Sequence, residues 1–174
     1  MIRTSARAGL FVVCLYAQDS PKQSFKDFYA QVQKFQEQAS AAINREMARE
    51  KARDCGDEGN TRSILDCLER EIETSTANYK TYLSAIRSRL GLRYGDDLRT
   101  LGPTGTPLTS KEMVQSFDAA EAAWQNYRAA QCEMAFNLVK GGTAAHPNEG
   151  FCQLLLIRSH MRELEIIYHG PLHN

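Results

Sequence analysis

Apolar positions recur along this chain at three- and four-residue spacings in four long stretches, the periodicity of amphipathic helices, and no stretch alternates convincingly enough for a strand. In the first stretch Phe25, Phe28, Val32, Phe35, Ala39 and Ala42 form a stripe that runs to about Arg53. Ser20, Pro21 and Gln23 supply an N-cap, a first-turn proline and a capping-box partner for it. Burial is expected for this aromatic stripe. A second helix is expected from Thr61 as N-cap, with Leu65, Leu68, Ile72, Tyr79, Tyr82 and Ile86 on one face and Gly91 at its end. A third opens at the capping box Thr109–Glu112 and carries Met113, Phe117, Ala120, Trp124, Tyr127, Met134 and Leu138, ending at Gly141-Gly142. The fourth opens near Cys152 with Leu154, Ile157, Met161 and Leu164, and stops before Gly170-Pro171. The pattern predicts an all-α fold, an antiparallel bundle of about four helices or a three-helix core with the first helix laid across it.

The joints follow from turn chemistry. Cys55 to Asn60 is rich in Gly, Asp and Asn, and residues 91–108 hold four glycines and two prolines. Both read as loops. The stretch KGGTAAHPNEG, Lys140 to Gly150, reads as a third loop, with Gly141-Gly142 and Pro147 restricting where it turns.

The N-terminus carries a different signal. Arg3 and Arg7 precede the ten-residue apolar run from Ala8 to Ala17, and Gln18-Asp19-Ser20 follows. This is the layout of a signal peptide, residues 1–17, and is too short to span a bilayer. Cys14 as a lipid anchor would need a better preceding motif than Val12-Val13. The expected organisation is therefore a signal peptide (1–17), an N-terminal amphipathic helix (18–54) and a helical domain (55–174). Removing residues 1–17 leaves four of the five cysteines, an even number suited to disulfides in an oxidising compartment. The full chain has 21 basic and 21 acidic residues; without Arg3 and Arg7 the balance is 19 − 21 = −2. Such a balance points away from nucleic acid and from a polybasic membrane patch.

Catalytic patterns are missing. No nucleotide loop, nucleophile elbow or zinc-type Cys/His spacing occurs, and His146, His160, His169 and His173 repeat no ligand motif. The expectation is a non-enzyme without cofactor or metal. Trp124, Tyr127 and Arg128 stand at i, i+3 and i+4, which on a helix sets all three on one face and the guanidinium over the indole.

The run Trp124, Tyr127, Arg128, Cys132, followed by Gly141-Gly142-Thr143, Cys152 and Glu163-Leu164, resembles the lysozyme-inhibitor LprI-like family of small secreted bacterial domains. Cys55, Thr61 and Cys67 extend the resemblance upstream. Ala129, Ser63 and His160 stand where that family commonly carries an acid, a Glu and an Arg. The resemblance implies a disulfide-stapled helical domain with bridges Cys55–Cys67 and Cys132–Cys152, each stabilising by about 3 kcal/mol in the chain-entropy model. Sequence alone leaves the crossed connectivities open. The resemblance also implies a protein partner, a lysozyme, and a location in the periplasm or outside the cell. The expected contact segment is the loop with Gly142, Thr143, His146 and Glu149, where a centrally placed imidazole can meet a glycosidase carboxylate. The alternative function is a periplasmic structural or interaction protein, an envelope factor or immunity protein, without effect on lysozyme.

Overall fold

The computed structural model describes residues 25–52, 55, 59–92, 100–101 and 107–168. The expected signal peptide, the Ser20–Gln23 cap and most of the 91–108 loop lie outside these residues. The fold is an all-α bundle of four helices: α1 (Phe25–Lys51), α2 (Thr61–Leu90), α3 (Ser110–Asn137) and α4 (Ala145–Tyr168). One two-residue antiparallel pair, β1 (Thr100–Leu101) with β2 (Pro107–Leu108), lies between α2 and α3.

Side-chain pairings fix the directions. Glu46 meets Ser75 and Asn78, and Arg49 meets Glu71, so α1 runs antiparallel to α2. Tyr79 meets Glu121 while Arg87 meets Asp118, so α3 is also antiparallel to α2. The Cys132–Cys152 bridge and the His160–Glu121 contact set α4 antiparallel to α3. The core gathers around α2, whose Tyr79, Tyr82, Ala85 and Ile86 pack with Ala39, Ala42 and Ile43 of α1, Phe117 of α3, and Ile157, Met161 and Leu164 of α4. Alanines at 39, 42 and 85 let α1 and α2 backbones approach closely. A smaller cluster of Cys55, Leu68 and Leu154 closes the opposite end of α2.

Two expectations shift. The N-cap of α2 is Asn60, whose Oδ1 accepts from the Ser63 N–H at 3.0 Å; Thr61 is the first helical residue. Either residue type can cap, and the register of the chain decides by one position. The aromatic stripe of α1 is not in the core: Phe25 is 53% exposed, and Phe28, Val32 and Phe35 are half-buried. The register that sets Glu46 against Asn78 runs α2 out at Leu90 before α1 reaches its first turns. Burial therefore starts at Ala39.

Polar groups also tie α1 in. Glu46 is fully buried and accepts from Ser75 Oγ (2.5 Å), Asn78 Nδ2 (2.9 Å) and Arg158 Nε (2.8 Å), joining α1, α2 and α4 at one point. Burial pushes its carboxyl up, but those three hydrogen bonds and the charge of Arg158 outweigh burial and hold it below the usual value.

Candidate functional site

The end of the bundle where α3 turns into α4 is built from local signals. The Thr109–Glu112 capping box starts α3, with both reciprocal hydrogen bonds formed. The helix ends at Asn137, and Gly141 takes φ +89°, a left-handed conformation that side chains rarely adopt. Cys132 and Cys152, Cα atoms 5.5 Å apart, clamp the two helices below this turn. Cys55 and Cys67, 5.6 Å apart, pin the chain entering α2.

The loop expected to reach Gly150 is shorter than that, because α4 begins at Ala145. Pro147 sits inside its first turn, where a missing N–H costs nothing since that donor has no helical partner. Asn148 then locks the start of the helix: its N–H donates to Ala144 O (2.9 Å) and its Nδ2 to Ala135 O of α3 (3.2 Å). Of the four expected contact residues, Gly142 and Thr143 lie in the exposed turn, while His146 and Glu149 belong to the helix. The His146 side chain is 69% exposed, its ring 5.0 Å from that of Phe136, and its Nδ1 is 3.7 Å from Glu149. Around this tip Leu138 is 72% exposed, and Val139 and Phe151 are also open to solvent. The tip is thus a rigid, helix-anchored surface with both apolar and titratable groups.

His146 and Glu149 also border a groove of about 410 Å³ between α2 and the start of α4. Leu65, Leu68 and Ile72 form its apolar floor, and Glu69 and Gln153 complete the rim. Gly150 lets α4 pack closely on α2 beside the groove: a Cβ there would come within 2.9 Å of the Leu68 side chain, which would have to shift. The periodicity of α2 exposed the floor residues, but only folding brings the α4 residues opposite them.

Trp124 is half-buried and packs against the core. Its indole stacks on the His160 ring at 4.1 Å and lies 5.3 Å from the Tyr79 ring, with the Arg128 guanidinium 5.4 Å from its centroid. Tyr127 leaves this group and is 52% exposed. The inward line of α3 is Phe117, Glu121 and Cys132, buried, with Trp124 and Arg128 half-buried between them, a stripe that rotates away from Tyr127. Sequence reasoning missed Glu121, which accepts from the Tyr79 hydroxyl and contacts His160 Nε2 at 3.0 Å. His160 Nδ1 meets Glu163 at 3.1 Å. Burial, followed by the hydrogen bond and charge of Glu121, pushes the Tyr79 phenol far up; burial and Glu165 do the same to Tyr82. The placement of Glu121 one turn before Trp124, on the same line, was the available signal. This cluster is enclosed by helices and braces α2, α3 and α4.

Among the described residues no group of three or more His, Cys, Asp or Glu is arranged to hold a metal ion, and no helix is long and apolar enough to cross a membrane. Comparison with curated proteins returns no match, and neither does comparison with solved structures. Comparison with protein families matches residues 52–164 to the family described as lysozyme inhibitor LprI. That span holds α2, α3, nearly all of α4, both disulfides and the Trp124–His160 stack. The chain belongs to the lysozyme inhibitor LprI family.

Proposed function

We propose that this protein is an exported, non-enzymatic binding module that inhibits a lysozyme-class glycosidase, using the α3–α4 tip with Gly142, Thr143, His146 and Glu149 as its contact face. The observation that carries this reading is the family match over residues 52–164. Physical support comes from the tip. Its backbone is fixed from both sides, by Cys132–Cys152 and by the Asn148–Ala135 hydrogen bond, so little ordering entropy is lost on docking. Exposed Leu138, Val139 and Phe151 supply apolar area of the kind that marks interaction surfaces. A balance of 19 basic to 21 acidic residues after removal of residues 1–17 favours approach to a basic protein. Two disulfides fit an oxidising compartment, the periplasm or the extracellular space.

Calorimetric titration of the purified protein, lacking residues 1–17, against lysozymes of different types tests the reading. A saturable isotherm with at least one type is expected, weakened tenfold or more by Thr143→Trp or His146→Ala, a loss of about 1.4 kcal/mol. Absence of binding to every type would overturn it, and capture of a different periplasmic protein on the same face would replace it with an envelope-interaction role.

A further inference from the structure

We infer that the groove between α2 and the first turns of α4 is a receptor for an arginine side chain presented by a protein partner. This deepens the inhibitor reading and rests on it for who presents the arginine, although the groove's own chemistry stands apart from it.

The floor of Leu65, Leu68 and Ile72 matches the aliphatic stem of a long side chain, and about 410 Å³ falls within the range of small-ligand sites. The rim then decides the head group. The side chains of Glu69 and Gln153 make no hydrogen bond or ion pair with any described residue. Glu149 has His146 at 3.7 Å, beyond hydrogen-bond distance. Among the described residues the rim thus offers two carboxylates and an amide oxygen as open acceptors, and no described lysine or arginine lines the groove.

A guanidinium carries five donors and no acceptor, so it complements a rim of acceptors where a carboxylate or phosphate would be repelled. The start of α4 lends the site a partial positive charge of about half a unit, which two full carboxylates outweigh. Lysine has a similar stem but a compact, more strongly hydrated head with three donors rather than a planar fork of five, so it loses more on leaving water. Arginine is therefore the occupant, with its stem over Leu68 and its head between Glu69 and Glu149.

The test uses the whole mature protein and a small probe, Nα-acetyl-arginine methylamide, followed by the methyl NMR signals of Leu65, Leu68 and Ile72. Saturable shifts confined to these methyls are expected, in the millimolar range. The citrulline analogue, equal in shape but uncharged, should bind at least tenfold more weakly, and the lysine analogue more weakly than arginine. Glu69→Gln with Glu149→Gln should lower arginine affinity at least tenfold with an unchanged melting temperature. Equal binding of the citrulline analogue, full binding by the double variant, or shifts away from these methyls would each overturn the inference. No lysozyme takes part, so failure here leaves the inhibitor reading intact. Arginine binding by a protein that ignores every lysozyme would uphold the groove and overturn only the partner.

Discussion

Glu46 is the most informative single position for stability. It is fully buried, and its carboxylate neutralises Arg158, itself 7% exposed. Glu46→Gln keeps the volume but removes the charge, and the new amide N–H₂ faces either the Asn78 donor or those of Ser75 and Arg158. Breaking a buried ion pair typically costs about 3–5 kcal/mol, because the remaining charge is left uncompensated. One feature of the surroundings moderates that cost. Glu71 Oε2 lies 3.9 Å from Arg158 and has no hydrogen-bond partner, so Arg158 can turn to it. The expected loss is therefore at the low end, about 3 kcal/mol, a fall in urea midpoint of about 1.5 M at an m-value of about 2 kcal/mol/M. Urea titration followed by far-UV circular dichroism measures this at neutral pH. The pH dependence has a definite sign. The folded-state pKa of Glu46 lies below its ordinary value of 4.5, so its stabilisation is present above 4.5 and is lost as pH falls through the folded value. The gap between wild type and Glu46→Gln should shrink as the medium becomes more acid than 4.5. Glu46→Met with Arg158→Met should cost clearly less than the sum of the single variants, since neither charge is then stranded. A single-variant loss below about 1 kcal/mol, or strict additivity in the double, would show that Glu46 and Arg158 are not a coupled buried pair.

Three further outcomes follow from the same structure. Tyr79 and Tyr82 have phenols raised by burial and by their glutamate partners, so folding stability should be intact below pH 10 and decline above it, where the unfolded chain ionises; ultraviolet titration should show both tyrosines ionising only with unfolding. Trp124→Ala should cost about 2–4 kcal/mol, somewhat under the usual tryptophan range because the side chain is half-buried, and thermal melting reads the loss. Non-reducing peptide mapping should recover the 55–67 and 132–152 linkages, and Cys132→Ser with Cys152→Ser should lower stability by about 3 kcal/mol in chemical denaturation.

The parts of the fold legible in sequence are those encoded within a few residues. The capping box at Thr109 and Glu112 is a three-residue signal, and Trp124 reaches Arg128 within one turn. The floor of the groove was also visible, as the stripe Leu65, Leu68 and Ile72. What escaped depends on partners far along the chain. Glu46 looks like any solvent-facing glutamate until Ser75, Asn78 and Arg158, which lie 29, 32 and 112 residues away, close over it. Glu121 and His160 each interrupt an apolar stripe and become interpretable only as mutual partners, 39 residues apart. The aromatic turns of α1 failed in the other direction: periodicity shows that a face is apolar, but the length of α2 decides how much of it is covered. At α4, Pro147 and Gly150 looked like loop residues; one fits a first helical turn and the other permits contact with Leu68.

The proposed inhibition of a lysozyme can be read from the rate at which lysozymes of several types lyse bacterial cell walls as purified mature protein is added. A saturable fall in lysis is expected for at least one type, weakened at least tenfold by Thr143→Trp or His146→Ala while the melting temperature holds. Undiminished lysis by every type at inhibitor excess, from protein with both disulfides intact, would contradict it.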